Sequence, residues 1–143
     1  KIKKANKRLY FARVLRKLNV KPEIIVKFYN STISPVLSYG LCSFYNMIPD
    51  YLQKELDHPR QVCSKLVGEN TEHSDKLISI RDVWKENTLN HASKIMKNSD
   101  HPLNSEFEML PSGRRFRYQQ SRTERYRKTF VPSAIRLLDG RLK

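Results

Sequence analysis

Two groups of residues in this chain are of the types that grip polyanions. Lys3, Lys4, Lys7 and Arg8 stand at its start. Arg114, Arg115, Phe116, Arg117, Tyr118, Arg122, Arg125 and Arg127 stand near its end. Ammonium and guanidinium groups neutralise phosphates and release their condensed counterions. Aromatic rings set among such cations offer faces on which unpaired bases stack. Contacts of this kind hold a nucleic acid in position without reading its sequence.

The charge balance agrees. Lys plus Arg number 28 against 14 acidic residues, a net charge of +14 over 143 residues. Residues 1–21 hold nine basic residues and no acid, whereas 22–112 hold nine basic and twelve acidic, a net of −3. Residues 113–143 hold ten basic and two acidic, a net of +8. The middle is an ordinary domain by charge, and the ends carry the electrostatic signal. A helix that only faces solvent mixes signs to gain pairs one turn apart, and the opening segment does not.

Residue types for catalysis are present but not assembled. Asp50, Asp57, Asp75, Asp82, Asp100 and Asp139 are scattered, with no Asp-Asp pair to hold two metal ions. No glycine-rich phosphate loop occurs, and no His-x-Asp facial-triad text is expected. Cys42 and Cys63 lie far apart, and His58, His73, His91 and His101 form no Cys-x-x-Cys or His-x-x-x-His pair. The expected sets of catalytic residues, metal ligands and cofactors are therefore empty. Two cysteines are few for a secreted disulfide scaffold, so an intracellular, non-secreted protein is expected. No apolar run spans a bilayer, so no membrane partner is expected. A chain opening on Lys1 rather than Met is expected to be a piece of a longer one.

Hydrophobic spacing predicts the elements that must position these residues. The fold expected is mainly α: a helical bundle over 1–68, a loop and fourth helix over 69–110, and an irregular basic Arg/aromatic tail over 111–143 with a short terminal helix. In the first helix Phe11, Val14, Leu15 and Leu18 keep one face, with Ile2, Ala5 and Leu9 nearly opposite. A break at Asn19 to Pro22 follows. The second helix carries Ile25, Phe28, Tyr29, Ile33 and Val36 and should kink at Pro35. The third starts at Ile48-Pro49-Asp50, carries Leu52, Leu56, Cys63, Leu66 and Val67, and stops at Gly68. Pro59 should bend or split it. Residues 69–78 read as a loop. Ser79 with Asp82 resembles a capping box, and the fourth helix runs to about Lys97 with Ile80, Trp84, Ala92 and Ile95 inward. The last helix is expected from Pro132 to Asp139, ended by Gly140. Phe11, Leu15, Phe28, Ile33, Val36, Leu56 and Leu66 are the expected buried set.

Three stretches carry a family pattern. They are Lys4-Ala5-Asn6-Lys7-Arg8-Leu9-Tyr10-Phe11 with Arg16-Lys17-Leu18, and Phe28-Tyr29-Asn30-Ser31-Thr32-Ile33 with Val36-Leu37-Ser38-Tyr39-Gly40-Leu41. The third runs from His101-Pro102-Leu103 through Phe107 to Arg117, Arg122-Thr123 and Pro132 to Leu138. In this order they resemble the C-terminal end of reverse transcriptases of non-LTR (LINE-like) retrotransposons, over nearly the whole chain. The resemblance implies a helical thumb over about 1–68 and then a C-terminal tail. It implies a grip on template–primer or target DNA, with RNA or DNA backbone and an upstream reverse transcriptase palm as partners. It implies no polymerase activity of this chain alone, and a nuclear location when acting on target DNA. Pro35 and Pro59 depart from the helical text of that family.

The basic opening helix is separately similar to the short N-terminal segment of an AlkB-type alkylated-DNA-repair homologue, over about the first quarter of the chain. No oxygenase or methyltransferase activity is implied by so short a likeness. A third possibility is a non-catalytic helical protein-interaction fragment, whose basic ends would fold onto acidic patches.

Overall fold

The computed structural model describes residues 1–118, 120 and 123–141. The described residues are mainly α, with no named strand and one isolated antiparallel bridge between Met109 and Phe116. They divide into two compact units, Lys1–Leu41 with Pro49–Val83, and Cys42–Ile48 with Trp84–Lys143. Compactness and charge thus divide the chain at different places.

In the first unit α1 spans Ile2–Lys17, α2 Pro22–Phe28, a π-helical turn Tyr29–Ile33 and α3 Ser34–Ser38. Helix α5 spans Asp50–Val67 and α6 Glu72–Asp75. The end of α1 is a Schellman motif: Val20 N–H reaches the Leu15 carbonyl at 3.2 Å and Asn19 N–H the Arg16 carbonyl at 3.1 Å. Asn19 takes the left-handed conformation that this stop requires, at φ 52°. Pro22 then opens α2, where its missing N–H costs nothing.

Helix α1 turns inward Ala5, Leu9 and Ala12. The two alanines let its backbone approach α5 closely. Of the two sides expected to be contacted, that of Ala5 and Leu9 is buried, whereas on the other Phe11 is 56% exposed and Leu18 68%. Ile33 and Leu56 are buried as expected, whereas Leu15, Phe28, Val36 and Leu66 are half-buried.

The two prolines behave differently. Pro35 has no N–H for the Ser31 carbonyl, and the helix widens into the π-helical turn just before it rather than simply bending. Pro59 neither splits nor ends α5, which runs unbroken through it. It lies on the buried stripe Leu56, Pro59, Cys63 and Val67. The segment read as a loop at 69–78 holds α6, whose N-cap Thr71 accepts from Ser74 N–H. Tyr29, fully buried, donates its hydroxyl to the Ile78 carbonyl at 3.2 Å. Next to it the Asn30 side chain donates to the Lys76 carbonyl at 3.0 Å and accepts from Ile78 N–H at 3.2 Å. The wide turn is thereby clasped to the 76–78 segment.

The second unit contains α4 (Leu41–Phe44) from Cys42 on, and a 3₁₀ turn Tyr45–Met47. Helix α7 spans Ile80–Lys97 and enters this unit at Trp84. A 3₁₀ turn Asn104–Phe107, α8 (Glu124–Arg127) and α9 (Phe130–Arg141) complete it. Its core joins Ala92, Ile95, Phe107, Phe116, Ala134 and Ile135. Tyr45 stacks on Trp84 with centroids 5.2 Å apart, and Asn46 donates to Ser133 Oγ at 2.8 Å. The Asn104 amide lies within 3.0–3.2 Å of the Ile95, Met96 and Asn98 carbonyls and so caps the end of α7. Gly140 does not end α9, which continues through it to Arg141.

Candidate nucleic-acid interface

The first basic cluster rides on α1. Lys3, Lys4 and Lys7 are exposed, and among the described residues none of them has an ion pair. The first turn of the helix holds no acid. Lysines there face the positive end of the helix dipole. Lys3 with Lys7, and Lys4 with Arg8, add like-charge pairs one turn apart. Both effects oppose helix formation, by a few tenths of a kcal/mol each. Arg8 differs from the lysines: its guanidinium donates to the Thr32 carbonyl and is half-buried. Lys1 donates its ammonium to the Tyr39 carbonyl and stands 5.3 Å over the Tyr39 ring.

The second cluster is carried by a hairpin-like loop. Arg117 N–H reaches the Glu108 carbonyl at 2.7 Å, Leu110 N–H the Arg115 carbonyl at 2.9 Å, and Gly113 N–H the Leu110 carbonyl at 2.8 Å. Gly113 supplies the left-handed residue of the turn at φ 64°. The turn leaves Arg114 and Arg115 exposed. Arg117 faces Glu108 at 3.6 Å. Phe116 is 7% exposed, inside the second unit's core, so its ring faces are not offered to a base. Tyr118, 42% exposed, is accessible beside a hollow lined by Ser105, Glu106, Glu108 and Arg117.

Further along, Arg127 pairs with Glu124 at 3.1 Å, and its carbonyl accepts from the Arg136 guanidinium. Arg125 lines an open hollow with Met47, Glu124 and Lys128. Arg122 lies outside the described residues. The α1 cluster belongs to the first unit and the Arg/aromatic cluster to the second.

Contrary to expectation, His73-Ser74-Asp75 does carry the His-x-Asp spacing of two facial-triad ligands. A facial triad needs a third ligand. Among the described residues no three His, Cys, Asp or Glu side chains gather for a metal ion. Cys63 is buried on α5, and desolvation pushes its thiol up to about 12, with Arg13 pulling the other way. No helix among the described residues is long and apolar enough to cross a membrane.

Comparison with known proteins bears on α1 and the elements after it. The family model described as alkylated DNA repair protein alkB homolog 8, N-terminal, matches residues 2–34. The match takes in α1, its Schellman turn, α2 and the π-helical turn, and leaves the rest of the chain unmatched. No curated protein matches the chain. No solved structure matches it.

This finding overturns the likeness to a non-LTR reverse transcriptase, and with it the retrotransposon, thumb and RNA-directed DNA polymerase descriptions. The matched family is the one that the opening helix was separately similar to. The physical reason lies in the phrases that carried the likeness. A basic helix ended by a Schellman turn, and a Pro-Ser-Gly turn between two short extended segments, are local solutions open to unrelated chains. Their order along the chain added no chemistry specific to a polymerase.

Proposed function

We propose that this chain is a non-catalytic, helical nucleic-acid-binding module, and that residues 2–34 are an equivalent of the N-terminal segment of alkylated DNA repair protein alkB homolog 8. The observation that carries the reading is the uncompensated charge of α1. Lys3, Lys4 and Lys7 are exposed and lack ion pairs among the described residues; the helix dipole disfavours Lys3 and Lys4, and like charge one turn away disfavours all three. A phosphate backbone laid along this face relieves all three at once. The matched family's name, a DNA repair protein, points to the same class of partner.

In this reading the three lysines hold backbone phosphates, and Arg8 chiefly secures α1 to the carbonyl of Thr32. Arg114 and Arg115 on their turn form a second contact region, and Arg125 is a further exposed cation of the same unit. Binding is by charge and is tolerant of sequence. Any chemistry on the nucleic acid belongs to another polypeptide or domain.

The test is fluorescence anisotropy of the full chain with a labelled oligonucleotide at low salt, beside K3Q/K4Q/K7Q. The triple variant should bind at least tenfold more weakly, while its helical circular dichroism is kept or slightly increased. Equal affinity of the two proteins, or no binding by either, sinks the proposal.

A further inference from the structure

The outer face of α1 holds more than charge. Tyr10 is 64% exposed and Phe11 56%, and their rings meet edge to face with centroids 5.7 Å apart at 76°. Tyr51 is exposed too, at 68%, but stands singly; Tyr10 and Phe11 differ in meeting each other on one helix surface among lysines. Lys7 lies one helical turn before both of them, three residues from Tyr10 and four from Phe11, and Lys3 lies one turn before Lys7. At about 1.5 Å of rise per residue, Lys3, Lys7 and the rings follow one another at steps of about 6 Å along the helix. That step is close to the spacing of successive phosphates in an extended single strand.

We infer that Tyr10 and Phe11 form a stacking platform for an unpaired base, with Lys7 and Lys3 holding the adjoining phosphates, so that α1 selects single-stranded over duplex nucleic acid. The inference rests on the nucleic-acid reading above and names its substrate class. Charge selects this occupant over the other two that could cover the face. A second copy would bring a helix with seven cations and one acid-free face against its like, and repulsion opposes that pairing. A neutral bilayer would leave Lys3, Lys7, Arg13 and Lys17 without a partner charge, and an anionic one is distinguished by the vesicle arm of the experiment. A single strand satisfies both halves of the face, because every base has a π-face and every nucleotide a phosphate.

The experiment uses the full chain with three labelled probes: oligodeoxythymidylate, an abasic oligomer of the same length, and a blunt duplex. Wild type should bind oligodeoxythymidylate several-fold more tightly than the abasic strand, since base–aromatic stacking is worth about fivefold to a hundredfold per base by alanine substitution. Y10A/F11A should lose that difference and leave abasic and duplex binding unchanged. Y10L/F11L keeps apolar bulk without a π-face and should behave like the alanine pair. Y10W/F11W should keep the preference for the base-bearing strand.

Equal binding of wild type to thymidylate and abasic strands, still weakened by K3Q/K4Q/K7Q, overturns the stacking platform and leaves the charge-based reading intact. No binding to any of the three probes overturns both. Full activity of Y10L/F11L, self-association that Y10A/F11A abolishes, or binding to anionic phosphatidylserine vesicles in place of oligonucleotides overturns the platform in favour of an apolar contact.

Discussion

The Asp139 carboxylate accepts the backbone N–H of Phe116 at 3.1 Å, across 23 residues of chain. Helix α9 thereby pins the loop whose turn displays Arg114 and Arg115. The ring of Phe116 enters the core from the same residue, so one position is held by both its backbone and its side chain. Three backbone bonds close the rest of the loop, and among the described residues Arg114 and Arg115 have no ion pair, whereas Arg117 faces Glu108.

D139A should therefore release the loop. It leaves a part-buried N–H without its acceptor, at a cost of about 1–3 kcal/mol. Amide hydrogen exchange at Phe116 and Arg117 should quicken well before the helices of the first unit open. D139N keeps an acceptor oxygen and should lose less. Unchanged exchange in D139A would mean that the Phe116 ring alone holds the loop.

The two faces of α1 make a sharper contrast. Leu9, 2% exposed, is packed, and L9A should cost about 2–5 kcal/mol. Phe11, 56% exposed, is not, and F11A should change stability by no more than about 0.5 kcal/mol. Urea unfolding of both variants checks the assignment. A large loss for F11A would return Phe11 to the core.

That contrast also locates what was legible from residues alone. Helix existence was legible wherever a stripe repeated strongly, as in Leu56, Cys63 and Val67, or in Ile80, Trp84, Ala92 and Ile95. The balance between the two sides of α1 was not, because a reading weighted by hydrophobic size puts Phe11 and Leu18 inward as well as Ala5 and Leu9, and gives Ala12 no part. Packing geometry reverses the order: small residues bring backbones together, and the large ones are left outside. The split allowed for at Pro59 does not occur, for a related reason. Its local cost argues for a break, but its burial on the α5 stripe offsets that cost. The wide turn before Pro35 has no local signature beyond the proline itself. At the site, the charged clusters were plain in the sequence. The burial of Phe116, the tether of Arg8 to Thr32 and the exposure of the Tyr10 and Phe11 rings depend on tertiary contacts that no spacing encodes.

Cys63 gives the fold a pH signature. Its thiol is pushed from an ordinary 9.0 up to about 12 by burial, and burial also raises the Tyr29 phenol, with Asp57 adding to the effect. Both groups stay protonated in the folded chain at pH values where the unfolded chain has begun to lose those protons. Stability is thus full below about pH 9 and should fall as pH rises toward 12, by at most about 1.4 kcal/mol per pH unit for each such group. C63A should flatten the decline between pH 9 and 12, although the cavity it leaves lowers stability at every pH. A thiol reagent at neutral pH should modify the half-buried Cys42 quickly and Cys63 only on unfolding. Rapid labelling of both in the folded protein would contradict the burial of the α5 stripe.

Salt separates the two basic clusters. Each phosphate neutralised on duplex DNA contributes about −0.9 to the log–log dependence of affinity on salt. Lys3, Lys4 and Lys7 should together supply a slope of roughly −2.7, and K3Q/K4Q/K7Q should flatten the measured slope by about that amount. Arg114, Arg115 and Arg125 should supply a similar share, removed by R114Q/R115Q/R125Q. Arg117 and Arg127 already face Glu108 and Glu124, so the release of counterions on binding is smaller there. R117Q/R127Q should therefore flatten the slope by less than two full contacts. The measurement is an anisotropy series between 50 and 200 mM salt on the full chain and the three variants, where about six contacts correspond to a thousandfold loss of affinity. If K3Q/K4Q/K7Q keeps the wild-type slope while the tail variant loses most of it, the interface lies on the second unit alone, and the uncompensated lysines of α1 need another partner.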